Sequence, residues 1–200
     1  MRQLVVVAGL SATLSSARPV MAQGASAKAA AEALFDAGRK LKDQGKYLEA
    51  AKKFEQSQRL DKGVGTLLYL ADSYEKGGRL ASAWASYRQA SSLARESKDE
   101  RREKIAIGRA SKLAPKIARL TIELGSNAKL PGVQVKRGGV ALDASTANAA
   151  LPVDAGKYTI SVTAPGFVAS EQSVELADGD TKRVTIAPLK RAPVAPKAKV

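Results

Sequence analysis

The sequence predicts a multi-domain α plus β chain: an all-α set of helical repeats, two units plus a capping helix, followed by a small antiparallel β-sandwich. Three observations carry that prediction. Residues 34–60 recur at 67–93, shifted by 33 positions: Leu34 matches Leu67, Gly38 matches Ala71, Gly45 matches Gly78, Ala50 matches Ala83, and Phe54 matches Tyr87. A repeat of this length is one supersecondary unit that buries its apolar face by stacking on a neighbour. After Pro115 the apolar spacing changes from three and four residues to strict alternation, which is the change from helix to strand. Turn signals at Gly138-Gly139, Pro165-Gly166 and Asp178-Gly179-Asp180 then cut the second half into short segments.

The elements follow in order. Arg2, the apolar run Leu4–Leu14 and the small residues of Val20-Met21-Ala22 describe a secretory signal peptide over 1–22, cut after Ala22. The run is shorter than the ~20 apolar residues a membrane-spanning helix needs, so no transmembrane segment is expected after cleavage. Residues 23–118 form the helical module. Ser26 is the expected cap of a first helix carrying Ala30, Ala33, Leu34, Ala37, Gly38 and Leu41, which Gly45 ends because glycine takes a positive φ without penalty. A second helix carries Leu48, Ala51, Phe54 and Gln58 as far as Asp61-Lys62-Gly63. A third opens near Gly65 and ends at Gly77-Gly78, and a fourth runs from Leu80 to about Arg95. Within each unit a small residue sits where the helices cross: Gly38 and Ala50, then Ala71 and Ala83. Residues 99–114 form a charged fifth helix with Ile105, Ala106, Ala110 and Leu113 as its apolar stripe, a cap over the open end of the second repeat.

Residues 119–189 alternate. Leu120, Ile122 and Leu124 lead, followed by Val133 and Val135, then Val140 and Leu142. Tyr158, Ile160 and Val162 come next, with Val174, Leu176, Val184 and Ile186 at the end. One-sided alternation with short links predicts antiparallel sheets with one face in a core, about seven strands in all. The tail, 190–200, is rich in Pro, Ala and Lys and is expected to be extended.

The pattern Leu34…Gly38…Leu41…Gly45-Lys-Tyr47…Ala50…Phe54…Ser57 and its copy Leu67…Ala71…Tyr74…Gly78-Arg-Leu80…Ala83…Tyr87…Ala90 resemble the tetratricopeptide repeat. Lys62 stands where the family commonly has proline. Leu130-Pro131-Gly132-Val133, Gly156-Lys-Tyr158 and Ala164-Pro165-Gly166-Phe167 are similar to a PEGA-type β-module, though the Pro-Glu-Gly of its name is not present. Together the modules resemble exported proteins of the bacterial cell envelope, periplasmic or envelope-associated. The resemblance implies protein–protein or envelope contact without known chemistry. It also implies a groove lined by the first helix of each unit, where Phe35, Arg39 and Lys42 stand beside Leu68, Asp72 and Glu75. The alternative to a groove is that Arg39 with Asp72, and Lys42 with Glu75, form ordinary salt links between neighbouring helices. The asparagine clamp by which some family members hold a terminal carboxylate is not matched at Arg39 and Asp72.

Composition narrows the function classes. With no cysteine and no histidine, the chain lacks thiol nucleophiles, the usual zinc ligands and the commonest neutral-pH base. No Gly-x-Ser-x-Gly elbow or glycine-rich phosphate loop appears either, so neither an enzyme nor a cofactor is expected. Asp143, Asp154, Asp178 and Asp180 fall near turns, where aspartate is favoured for bonding its own backbone; a metal role ranks below that. The formal charge of +14 becomes +12 once Arg2 and Arg18 leave with the leader, a balance that favours anionic partners. Export and the 4% aromatic content argue against nucleic acid, whose single strands need stacking platforms. The first expectation is therefore a protein or peptide partner in the groove. The second is an anionic envelope polymer, peptidoglycan or lipid headgroup, held by the basic β-module and by Lys190, Arg191, Lys197 and Lys199.

Overall fold

The structure, a computed structural model, describes residues 20–193. Most of the expected leader, and Lys197 and Lys199 of the tail, lie outside the described residues. Five helices come first: α1 (Val20–Asp43), α2 (Tyr47–Leu60), α3 (Val64–Lys76), α4 (Leu80–Glu96) and α5 (Glu100–Leu113). They stack as α1 on α2, α2 on α3, α3 on α4 and α4 on α5. Ser26 is not a cap, because α1 already runs through it from Val20. The alanines at 22, 25, 27, 29 and 30 are the strongest helix formers and carry the helix upstream.

The duplicated positions form the packing core. Ala50, Ala51 and Phe54 of α2 are fully buried against Leu67 and Leu70 of α3. One unit later, Ala71, Ala83 and Tyr87 close on Ala110 and Leu113 of α5. Gly38 lets α1 approach the Phe54 ring so closely that a Cβ there would fall 2.7 Å from it. The Phe54 ring also stands 5.5 Å from both Phe35 and Tyr69, within the range of favourable aromatic pairs.

Three of the helix junctions are the same turn. At α1–α2 the amide of Gly45 donates to the Lys42 carbonyl and that of Lys46 to Leu41; Gly78 and Arg79 repeat this at α3–α4. Both glycines have φ near +74°, the left-handed residue of a Schellman motif. At α4–α5 the same pair of bonds forms, but the left-handed residue is Lys98, with φ 58°. The junction between repeats differs. Lys62 stands in the loop, and the Gln58 side chain holds the chain by accepting from the Gly63 amide at 3.0 Å.

Asp99 caps α5 by accepting from the Arg102 amide. The buried stripe of α5 is Ala106, Ala110 and Leu113, while Ile105 is 46% exposed. The expected stripe is corrected at this position. Residues 105 and 106 lie about 100° apart around a helix, and Ala106 is the one turned into the cluster that holds Ala90 of α4. The stack also ends differently from how it continues. Ala51 is fully buried under α3, but its counterpart 33 residues on is Trp84, half-buried, with the Arg88 guanidinium over its ring.

Seven strands follow: β1 (Ala118–Glu123), β2 (Gln134–Arg137), β3 (Val140–Leu142), β4 (Leu151–Val153), β5 (Gly156–Thr163), β6 (Ser170–Leu176) and β7 (Thr181–Thr185). They form two sheets, ordered β4-β1-β7 and β3-β2-β5-β6. Between them lie Leu120, Ile122 and Leu124 of β1 and the residue after it, with Val135, Val153, Ile160, Val162, Leu176 and Val184. The wholly antiparallel expectation is corrected for one pair: β1 and β7 run parallel, from Arg119 opposite Thr181 to Glu123 opposite Thr185. Alternation fixes which face of a strand is buried and carries no information on strand direction.

Asn127, only 2% exposed, ties the end of the module down. Its amide nitrogen donates to the carbonyls of Ile186 and Ala187, and its oxygen accepts from the Leu189 amide. The segment expected to begin a free tail at Lys190 is also paired. Val168 donates to the Lys190 carbonyl and Ala192 to that of Gly166, so residues 190–192 belong to the β-module.

Candidate functional site

The first helices of successive units meet along one face, where α3 adjoins α1 on one side and α5 on the other. Phe35 packs edge-on against Tyr69 at 5.1 Å between ring centroids, and Tyr69 keeps about a third of its surface in solvent. Lys42 reaches over that ring, 5.2 Å from its centroid, and bonds the Asp72 carboxylate at 2.9 Å. Lys76 adds a second contact to the same oxygen at 3.4 Å. Burial pulls the Asp72 pKa upward, but the bond and charge of Lys42, with the charge of Lys76, outweigh it and hold the carboxyl below its ordinary value.

Toward α5 the partners change. Glu75 accepts from the Tyr87 hydroxyl at 3.0 Å and pairs with Arg109 at 3.5 Å. Burial first, then the charge of Glu75, push the Tyr87 phenol well above its usual value, so it remains a donor. Leu68 and Ile105 line a cleft of about 430 Å³ with Asp99, Arg101 and Arg102. Arg102 is engaged by Asp99 at 3.1 Å; among the described residues Arg101 joins no ion pair.

Of the six groove residues expected from the sequence, the structure brings Phe35, Lys42, Leu68, Asp72 and Glu75 onto or beside this face. Arg39 is not linked to Asp72; it is exposed and lies 3.9 Å from Asp36, one turn back on its own helix. Lys42 takes Asp72, and Glu75 turns to Arg109 instead of Lys42. The salt links expected as the alternative to an open groove are therefore present with different partners, and Asp72 and Glu75 are both committed. Sequence reasoning missed Tyr69, Ile105, Arg101 and Arg109 as members of the face. The signal for Ile105 was an apolar residue beside an alanine already on the buried stripe.

Of the residues considered for a polymer site, Lys190 and Arg191 are among the described residues. Lys190 and Arg191 are exposed beside the turn at 166–168, next to Val168, which is 51% exposed. Two of the aspartates near turns are occupied locally: Asp143 accepts from the Ser145 amide, and Asp180 accepts from the Ala177 amide and pairs with Lys182. Asp154 reaches another module entirely. No family model matches the chain, and no curated protein matches it.

Proposed function

We infer that this chain is a non-enzymatic binding protein of the cell envelope, whose helical units are tetratricopeptide-like and whose second module is PEGA-like. The helical face holds a peptide or loop of a protein partner. The observation that supports this reading is the row Tyr69, Leu68 and Ile105, apolar and partly open to solvent, on the adjoining first helices of successive units. Lys42, Lys76, Arg101, Arg102 and Arg109 flank it, against Asp72, Glu75 and Asp99. Five cations against three anions favour a partner segment that combines aliphatic side chains with acidic ones. Site-specific photo-crosslinking tests it, with probes at Tyr69 and Ile105 compared with one at the exposed Ala85 on α4. A discrete adduct at the first two positions, lost in Leu68→Arg, is the expected result. Equal labelling at all three positions sinks the groove reading.

A second reading is favoured by Lys190 and Arg191, which the pairing at 166–168 holds in a fixed place at the surface. Here the partner is an anionic envelope polymer, peptidoglycan or lipid headgroup. Co-sedimentation with peptidoglycan or anionic vesicles should fall in Lys190→Glu/Arg191→Glu and weaken as salt rises, since exposed charges are screened within about 10 Å at 0.1 M. Retention unchanged by both would remove this reading.

A further inference from the structure

Helix α4 begins without a cap of its own, since the Arg79 side chain makes no cap hydrogen bond. Yet its third amide is satisfied from the other module. Ser82 donates its backbone N–H to Asp154 Oδ1 at 2.9 Å and its hydroxyl to Oδ2 at 2.7 Å. Arg79 approaches the same carboxylate at 3.9 Å, and the Asp154 side chain is only 12% exposed. Asp154 sits between β4 and β5, 72 residues further along the chain. It is positioned from its own side as well: the Tyr158 hydroxyl donates to the Asp154 carbonyl at 2.8 Å, and the Arg137 guanidinium lies over the Tyr158 ring.

A carboxylate bonded to the first-turn amides of a helix forms charge-assisted hydrogen bonds and meets the positive end of the helix dipole. The repeat itself supplies a comparison. The counterpart of Ser82 in the first unit is Glu49, and a glutamate at 82 would set two carboxylates against each other. The second unit thus departs from its copy where the β-module touches it. The covalent link between modules is Ala114-Pro115-Lys116-Ile117. One short link leaves a hinge; a second attachment at Asp154 removes that freedom.

We propose that Asp154 is a positioning residue that locks the β-module onto the start of α4, so that the two modules orient and unfold as one body. The helical face and the Lys190–Arg191 corner then keep a fixed relation to each other. The test uses the full chain and its Asp154→Ala, Asp154→Asn, Ser82→Ala and Ser82→Glu variants. Unfolding is followed by fluorescence of Trp84, which reports the helices, and by amide signals of Ile160, which report the sandwich. The two midpoints coincide in the parent and separate in Asp154→Ala and Ser82→Glu. Amide exchange at Ser82 rises about tenfold in Asp154→Ala while that at Ile160 is unchanged, and Asp154→Asn, which keeps an acceptor oxygen, falls between. If Asp154→Ala does not fold, Ser82→Ala, which removes one of the two bonds, reads the same quantities with a smaller shift. Separate midpoints in the parent overturn the proposal. So does an Asp154→Ala protein with coincident midpoints and an unchanged Ser82 rate, or one whose exchange rises equally at Ser82 and Ile160.

Discussion

Substituting Gly38 by alanine should destabilise the chain, although alanine is the better helix former. The added Cβ would lie 2.7 Å from Phe54 Cε1 and 2.9 Å from Cδ1 and Cζ, where carbon atoms prefer about 3.5–4.0 Å. The ring must therefore retreat by close to an ångström. Phe54 is fully buried and hemmed in by Phe35 and Tyr69, so it has nowhere to go without moving both. Overpacking of this kind costs about 1–3 kcal/mol, against a gain of about 0.5–1 kcal/mol from replacing a mid-helix glycine. The net expectation is a loss of about 1–2 kcal/mol. On a Phe54→Leu background the obstacle shrinks, and the same substitution should instead stabilise by about 0.5–1 kcal/mol. The two sites thus couple by about 2 kcal/mol, within the range found for residues in contact. Urea unfolding of the four proteins, read by Trp84 fluorescence and circular dichroism, measures the cycle. A Gly38→Ala chain as stable as its parent, or equal effects on both backgrounds, would refute the reasoning.

Three further outcomes are expected. Lys98→Gly should raise stability by about 0.5–1 kcal/mol, because the left-handed strain of Lys98 exceeds the extra freedom glycine brings to the unfolded chain; a lower denaturation midpoint would contradict this. Asn127→Ala should cost about 2–3 kcal/mol, since it leaves the Leu189 amide and two carbonyls without their partner. It should also bring forward tryptic cleavage at Lys190, and unchanged cleavage kinetics would count against the staple. Asp72, whose folded pKa is depressed, adds stability that is full above the unfolded carboxyl value near 4 and is lost as pH falls through the folded value. Lys42→Met removes the largest counterweight to burial, so this acid-side loss, less than about 1 kcal/mol for a partly exposed pair, should shrink or reverse. Parallel stability–pH profiles for parent and variant between pH 7 and 3 would refute the assignment.

The parts of this fold that could be read in advance are those fixed by local period. The pairs Gly38–Ala71, Ala50–Ala83 and Phe54–Tyr87 are buried in both units, because a crossing point tolerates only small residues and its flank needs a large one. Alternation likewise placed Leu120, Ile160, Val162 and Val184 in the sandwich core. What could not be read depends on which elements become neighbours. Lys42 rather than Arg39 meets Asp72 because the position of α1 along α3 is set by packing. Ile105 and Ala106 are both apolar, and only the way α5 packs on α4 decides which goes inside. The Asp154–Ser82 contact spans 72 positions, and its one trace in the sequence was the replacement of the glutamate at 49 by a serine at 82.

The parallel pairing of β1 with β7 also has a consequence for the order in which the protein is made. β1 is the middle strand of its sheet, and one of its neighbours, β7, leaves the ribosome after the six other described strands. The helices, whose contacts are between successive elements, can close while synthesis continues, whereas non-local strand pairing is slow and must wait. Until residue 181 and those after it arrive, β1 presents an open edge, and an edge strand of this kind is where association with another nascent chain begins. Deleting residues 181–200 should therefore turn a well-behaved protein into an aggregating one.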